Sequence, residues 1–230
     1  MSALLERPSD QSLTEFACER LRADIIRCDL APGASVTEAG LADRYGLGKA
    51  PIRAALSRLS QAGLIRSVNR RGYVVAPIIV KEVVEAFDLR LLLEPHAAFH
   101  AAGRMPLAVI QAFDDCFAAY RDGDLVSQDA FLAANRVFHL AIARAAGMDK
   151  LAAILGDLLD CTERVIRIGL IEWRGPKVME PAHRALVAAL VGGDAEQAQR
   201  LAAEGVELGR RKVMDAILKR QSIANVSLID

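Results

Sequence analysis

The sequence predicts a mainly α protein, an N-terminal winged helix-turn-helix followed by an all-α bundle of six helices. Three observations predict it. Apolar residues recur at helical spacing through nearly the whole chain, interrupted by Gly and Pro. One place departs from that period: the runs Leu64-Ile65-Arg66-Ser67-Val68 and Tyr73-Val74-Val75-Ala76 flank the turn cluster Asn69-Arg70-Arg71-Gly72 and read as a β-hairpin. Positive charge gathers around that hairpin. From Arg44 to Pro77 there are seven cations (Arg44, Lys49, Arg53, Arg58, Arg66, Arg70, Arg71) and no acid, in a chain whose 29 Lys/Arg and 29 Asp/Glu cancel.

Ser12-Leu13-Thr14-Glu15 has capping-box spacing and opens an amphipathic helix of about four turns carrying Phe16, Ala17, Leu21, Ile25 and Ile26, stopped near Pro32-Gly33. Thr37 offers an N-cap oxygen to a short helix with Leu41, Ala42 and Tyr45, broken by Gly46-Leu47-Gly48. A third helix starts at Ala50-Pro51, where proline is tolerated in a first turn, and runs through Ile52, Ala55, Leu56 and Leu59 to Gly63. The hairpin follows. Pro77 marks the boundary, giving a DNA-binding domain over 1–78 and an all-helical domain over 79–230. In the second, helical periodicity predicts segments at about 80–102, 106–122, 125–146, 148–172, 176–191 and 194–221, and no strand pattern is visible.

A chain of 230 residues that is 53% hydrophobic and 25% charged excludes disorder. No stretch approaches the ~18 uninterrupted apolar residues of a membrane span, and the N-terminus is too acidic for a signal peptide, so a soluble cytoplasmic protein is expected. Cys18, Cys28, Cys116 and Cys161 are scattered without short pairing and read as reduced, buried thiols. Residues 1–78 hold 11 Lys/Arg against 8 Asp/Glu, and the rest hold 18 against 21. A basic block inside a neutral chain points to a polyanion on one face, and a solvated basic surface is the bland alternative.

In a helix-turn-helix the second helix presents its N-terminal residues to the major groove. Lys49 and Arg53, four apart, share a face there. Arg53 can form a bidentate contact to guanine or clamp a phosphate, and Lys49 acts as a point charge to either. Arg44 and Arg58 lie farther back and suit phosphates. Arg70 and Arg71 form the wing tip, beside Gly72, which lets the backbone approach closely; this suits phosphates or the minor groove.

The segment from Leu21 to Pro77 resembles the DNA-binding domain of GntR-family transcriptional regulators, most specifically in Pro32-Gly33, Leu41-Ala42, Pro51-Ile52-Arg53, Ala55-Leu56, Arg58-Leu59, Gly63-Leu64-Ile65 and Arg70-Arg71-Gly72. Relatives usually have Ser-Arg where this chain has Gly48-Lys49 and Glu where it has Ala54, which removes a hydroxyl cap and trades a fork for a point charge. Residues 80–215 resemble the FCD effector domain of the FadR subfamily, and six helices suggest its VanR-like branch. The carrying residues are Arg90-Leu91-Leu92-Leu93-Glu94, Asn135-Arg136-Val137-Phe138-His139 and Pro181-Ala182-His183-Arg184-Ala185-Leu186, followed by Gly193-Asp194.

The resemblance implies dimerisation and, in many members, a divalent metal (zinc or nickel) held by Asp or Asn and three His beside a small carboxylate effector. Asn135 and His139 are i and i+4 on one helix face, and His183 would come from another helix. The last family histidine falls on Gly205. That leaves one amide and two imidazoles, and Glu204 stands one position off. Two readings stay open: a metal held by Asn135, His139 and His183, or a metal-free polar pocket in which these residues hydrogen-bond an effector whose carboxylate pairs with Arg90. Arg167 is a weaker candidate for that pairing, and His96 with His100 form a second i, i+4 pair.

The expected function is a ligand-responsive transcriptional regulator, a repressor more readily than an activator, acting as a homodimer on double-stranded operator DNA and modulated by a small organic acid. No enzyme is expected: the chain has no nucleophile elbow, P-loop, Gly-rich dinucleotide loop or HExxH. The rivals are a small helical metal-dependent enzyme with an appended DNA-binding domain and a constitutive DNA binder with a degenerate pocket.

Overall fold

The computed structural model describes residues 11–68, 72–172, 180–219 and 226–227. The chain divides into two compact units, residues 1–77 and 78–230.

In the first unit α1 (Leu13–Ile26) begins with a complete capping box. The Glu15 amide donates to Ser12 Oγ at 3.2 Å, and the Ser12 amide donates to the Glu15 carboxylate at 3.1 Å. The helix ends well before Pro32: Cys28 adopts a left-handed conformation (φ 61°), and the Leu30 amide turns back to the Asp24 carbonyl. β1 (Ser35–Val36) leads to α2 (Glu38–Tyr45), capped by Thr37 Oγ1, which accepts from the Gly40 amide at 3.1 Å, and closed by left-handed Gly46. α3 (Lys49–Gln61) starts one residue earlier than its proline suggests. Gly48 is its N-cap and supplies no side-chain hydrogen bond, so Pro51 occupies the third position, still within the turn whose amides have no intrahelical partner. β2 (Ile65–Val68) and β3 (Gly72–Val75) form the expected hairpin, and β1 adds to β3, giving the antiparallel order β1-β3-β2. A two-residue strand such as β1 carries no period to read. Leu21, Ile25, Ile52, Leu56, Leu59, Ile65 and Val75 are fully buried between helices and sheet.

The second unit contains α4 (Val80–Ala101), α5 (Leu107–Ala119), α6 (Leu125–Ala145), α7 (Asp149–Glu172), α8 (Glu180–Gly192) and α9 (Ala195–Lys219). α4 continues through Pro95 and packs against α6, α7 and α9. One core joins Phe113, Phe131, Phe138, Leu155 and Leu190, with the Phe113 and Phe138 rings stacked at 4.6 Å; a second gathers Phe87, Val165, Val206 and Val213. The absence of strands is corrected by a short parallel pair, β4 (Ile78–Ile79) with β5 (Val226–Ser227), again too short for periodicity to show. Among the described residues no helix is long and apolar enough to cross a membrane. The four cysteines form no disulfide and are only half-buried.

Candidate DNA-contacting surface and effector cavity

In the first unit, α3 is the helix that a helix-turn-helix presents, and Lys49, Arg53 and Arg58 are exposed along it. The basic block is not free of acids in space. Arg53 donates from Nε to Glu38 Oε1 (3.0 Å) and Oε2 (3.1 Å) and from Nη2 to Oε2 (2.8 Å), although its side chain remains 67% exposed. Tyr73 on β3 adds a longer hydroxyl contact to Glu38 (3.4 Å). The hydrogen bonds from Arg53 hold the Glu38 carboxyl below the usual carboxylate range against a smaller desolvation effect.

Arg44 is likewise committed. Its Nε and Nη2 reach Asp24 Oδ2 at 3.1 and 3.0 Å, while Arg27 binds Asp24 Oδ1 at 2.7 Å and the Tyr45 hydroxyl donates to Oδ2 at 2.9 Å. Burial, then the Asp24 charge, pushes the Tyr45 hydroxyl pKa up, so it stays a donor. Arg44 therefore rivets α2 to α1 as well as facing solvent.

Gly72 has a reason to be glycine within the fold itself. Its φ is 89°, and a Cβ there would stand 2.7 Å from the Val36 carbonyl oxygen, so the close approach that needs glycine is to β1. Arg70 and Arg71, the predicted wing-tip contacts, lie outside the described residues.

In the second unit, side chains from α4, α6, α7, α8 and α9 enclose a cavity of about 50 Å³, room for a few waters or a small ligand head group. Arg90, Asn135, His139 and His183 all line it, so the four predicted effector residues are brought together. Its remaining wall is mostly aliphatic or small, including Ala97, Ile142, Leu186 and Ala202. The two glycines in the interior of α9, Gly205 and Gly209, are there for different reasons. Gly209 packs against Phe87, where a Cβ would lie 3.7 Å from the ring, whereas a Cβ on Gly205 meets nothing within 4 Å and opens onto the cavity.

A carboxylate also lines the cavity, and sequence reasoning passed over it. Glu94 is 5% exposed; its Oε1 accepts from Arg90 Nε at 2.6 Å, and its Oε2 lies 2.6 Å from His139 Nδ1. The signal was present, since Arg90 and Glu94 are i and i+4 on α4. Burial alone would push the Glu94 carboxyl up, but the Arg90 and His139 charges, aided by their hydrogen bonds, outweigh it and hold it at about 2. Arg90 Nη1 donates to Thr162 Oγ1 (3.1 Å) on α7, and its guanidinium sits 5.1 Å over the Phe87 ring. Arg90 and Glu94 thus pair with one another, and Asn135, His139 and His183 are the other polar residues of the lining.

The donors do not fit a firmly held dication. Among the described residues no three His, Cys, Asp or Glu side chains gather to hold one. Glu94 is committed to Arg90 and His139, and the buried Arg90 guanidinium opposes a second cation. Gly205 supplies no donor to join His139 and His183. Glu204 lines a separate open groove with Glu207. Arg167 is outside the cavity, paired with Asp129. His96 and His100 stack edge to face at 4.7 Å on the exposed side of α4.

A winged helix-turn-helix unit followed by an all-helical unit places the chain among the HTH-type transcriptional regulators. The sequence matches the FCD domain over residues 85–207 and the gntR family of bacterial regulatory proteins over residues 13–75. The chain belongs to the GntR family and carries an FCD domain. It is 27% identical over 202 residues to the HTH-type transcriptional repressor GlaR of Escherichia coli K12, covering 79% of this chain and 86% of that one. It is also 27% identical over 175 residues (76% and 74%) to an HTH-type transcriptional regulator in an unstable DNA locus of Streptomyces ambofaciens. In fold it is similar to E. coli McbR/YncC, with a TM-score of 0.80 at 21% identity over 90% of this chain and 99% of that one.

Proposed function

We propose that this transcriptional regulator acts as a homodimer on a two-fold operator and that a small carboxylate, bound in the second unit without a resident metal, sets its DNA affinity. The observation that carries the reading is the cavity itself. Asn135, His139 and His183 line a space shared with the Arg90–Glu94 ion pair and otherwise walled by apolar or small residues, which suits a short acid with its head group on the imidazoles. Repression is favoured over activation by the resemblance to GlaR, which is named a repressor. Two-fold symmetry of the protein would be mirrored in two operator half-sites, each met by one α3. An effector that binds one arrangement of the dimer better shifts the population toward it.

The test is a thermal-shift screen of small organic acids in the presence of EDTA, followed by DNA mobility shifts with any acid that raises the melting temperature. An acid that stabilises the protein and changes its DNA affinity, both effects being lost in His139→Ala, is the expected result. If no acid shifts the melting temperature, the protein is a constitutive DNA binder.

A further inference from the structure

An arginine that reads guanine must bring two parallel N–H groups to O6 and N7, and its long side chain resists being fixed in that pose. Arg53 is already fixed. Its Nε and one Nη2 hydrogen are taken by the Glu38 carboxylate through contacts of 2.8–3.1 Å, and Glu38 is 24% exposed at the first turn of α2 beside Tyr73 of β3. The guanidinium has five N–H groups in a planar fork. With the Nε–Nη2 edge occupied, the Nη1–Nη2 edge retains two parallel donors, the pattern a guanine needs. Lys49, the other predicted reader, has no fork to orient and adds only charge.

We propose that Glu38 is a specificity-determining residue: it grips one edge of Arg53 and so presents the other to a guanine in each half-site. The inference rests on α3 being the base-reading helix. It runs against simple electrostatics, by which deleting an acid beside a DNA-contacting arginine should improve binding to every sequence alike. A buttressing acid does something different. Its removal frees Arg53 to wander to phosphates, so affinity for arbitrary DNA holds or rises while discrimination at one base pair collapses.

The experiment selects duplexes from a random-sequence pool in parallel with the wild type, Glu38→Gln and Arg53→Lys, and then measures each protein's affinity for the wild-type-selected duplex and a scrambled duplex of equal length. Glu38→Gln is expected to lose guanine enrichment at one position per half-site and to reduce the selected-to-scrambled affinity ratio at least tenfold, about 1.4 kcal/mol. Its affinity for the scrambled duplex should be unchanged or higher. Arg53→Lys, which keeps the charge without the fork, should lose the same position. A merely structural role for Glu38 would weaken every position together, and its melting temperature would report it.

The proposal is overturned if Glu38→Gln selects the wild-type motif at an undiminished ratio, or if Arg53→Lys keeps the guanine that Glu38→Gln loses. A wild type that enriches no sequence at all would instead remove the reading of α3 on which the proposal stands.

Discussion

Replacing Glu94 by Gln removes one charge from the interior of the second unit and changes little else. The side chain keeps its size, so no void is created, but Arg90 (4% exposed) loses its counterion, and the carboxylate oxygen 2.6 Å from His139 Nδ1 is gone. Breaking a buried pair by deleting one partner costs about 3–5 kcal/mol, because the surviving charge stays desolvated. Thr162 Oγ1 and the Phe87 face remain with Arg90 and recover a little, which places the expectation near the lower bound. For a unit of this size each kcal/mol moves the melting temperature by roughly 2–4 °C, so Glu94→Gln should lower it by roughly 6–12 °C.

The double variant Arg90→Met/Glu94→Leu isolates the cause. With both charges gone, no buried ion is stranded, and the double variant should melt well above Glu94→Gln. Calorimetry on the three proteins, following the transition of the second unit, separates the cost of a stranded charge from the loss of the whole pair. The reasoning is refuted if Glu94→Gln melts within 2 °C of the wild type, or if the double variant is no more stable than the single one.

The depressed Glu94 pKa makes stability pH-dependent with a fixed sign. A carboxyl at about 2 when folded and about 4.3 when unfolded contributes fully above the unfolded value, and that contribution drains away between about pH 4.3 and 2. Urea midpoints across this window should therefore fall more steeply for the wild type than for Glu94→Gln. Gly205→His introduces an imidazole where a Cβ meets nothing within 4 Å, beside His139 and His183; calorimetric titration should show weak zinc or nickel binding in the wild type and at least tenfold tighter binding, ~1.4 kcal/mol, in the variant. Tight stoichiometric metal in the wild type, unchanged by the substitution, would contradict the donor set described above. Gly72→Ala combines a φ of 89° with a 2.7 Å approach to the Val36 oxygen, so β3 must shift; denaturant unfolding of the first unit should show a loss of about 2 kcal/mol or more, most of it strain. A neutral substitution there would mean that the β1–β3 contact is soft.

The elements that sequence made legible are those with a period. The six described helices of the second unit fall within a few residues of their predicted spans, the predicted start of α8 at 176 lying outside the described residues, because their apolar stripes and Gly/Pro breaks are local features. The caps of Ser12 and Thr37 were legible for the same reason. What escaped is pairing across distance. Glu38 lies 15 residues from Arg53 and Asp24 20 from Arg44, separations with no helical or strand meaning, so a stretch empty of acids looked like an unopposed cation cluster. The candidate effector residues were identified by resemblance, and the cavity brings them together. The i, i+4 spacing of Arg90 and Glu94 is local and legible, whereas the contact from Glu94 to His139 spans two helices and is not.

Asp24 and Glu38 change how this protein would travel on DNA. The long-range pull of a binding face on a polyanion depends on its net charge, and Arg53 on α3 and Arg44 on α2 are each already paired with an acid. Fewer condensed ions are released when such a face settles on arbitrary sequence, so each wrong landing is brief. A genome is almost entirely wrong landings. With Glu38 still holding one edge of Arg53, such a domain would give up grip on arbitrary sequence while keeping a fork for a suitable base edge, and its search would shorten.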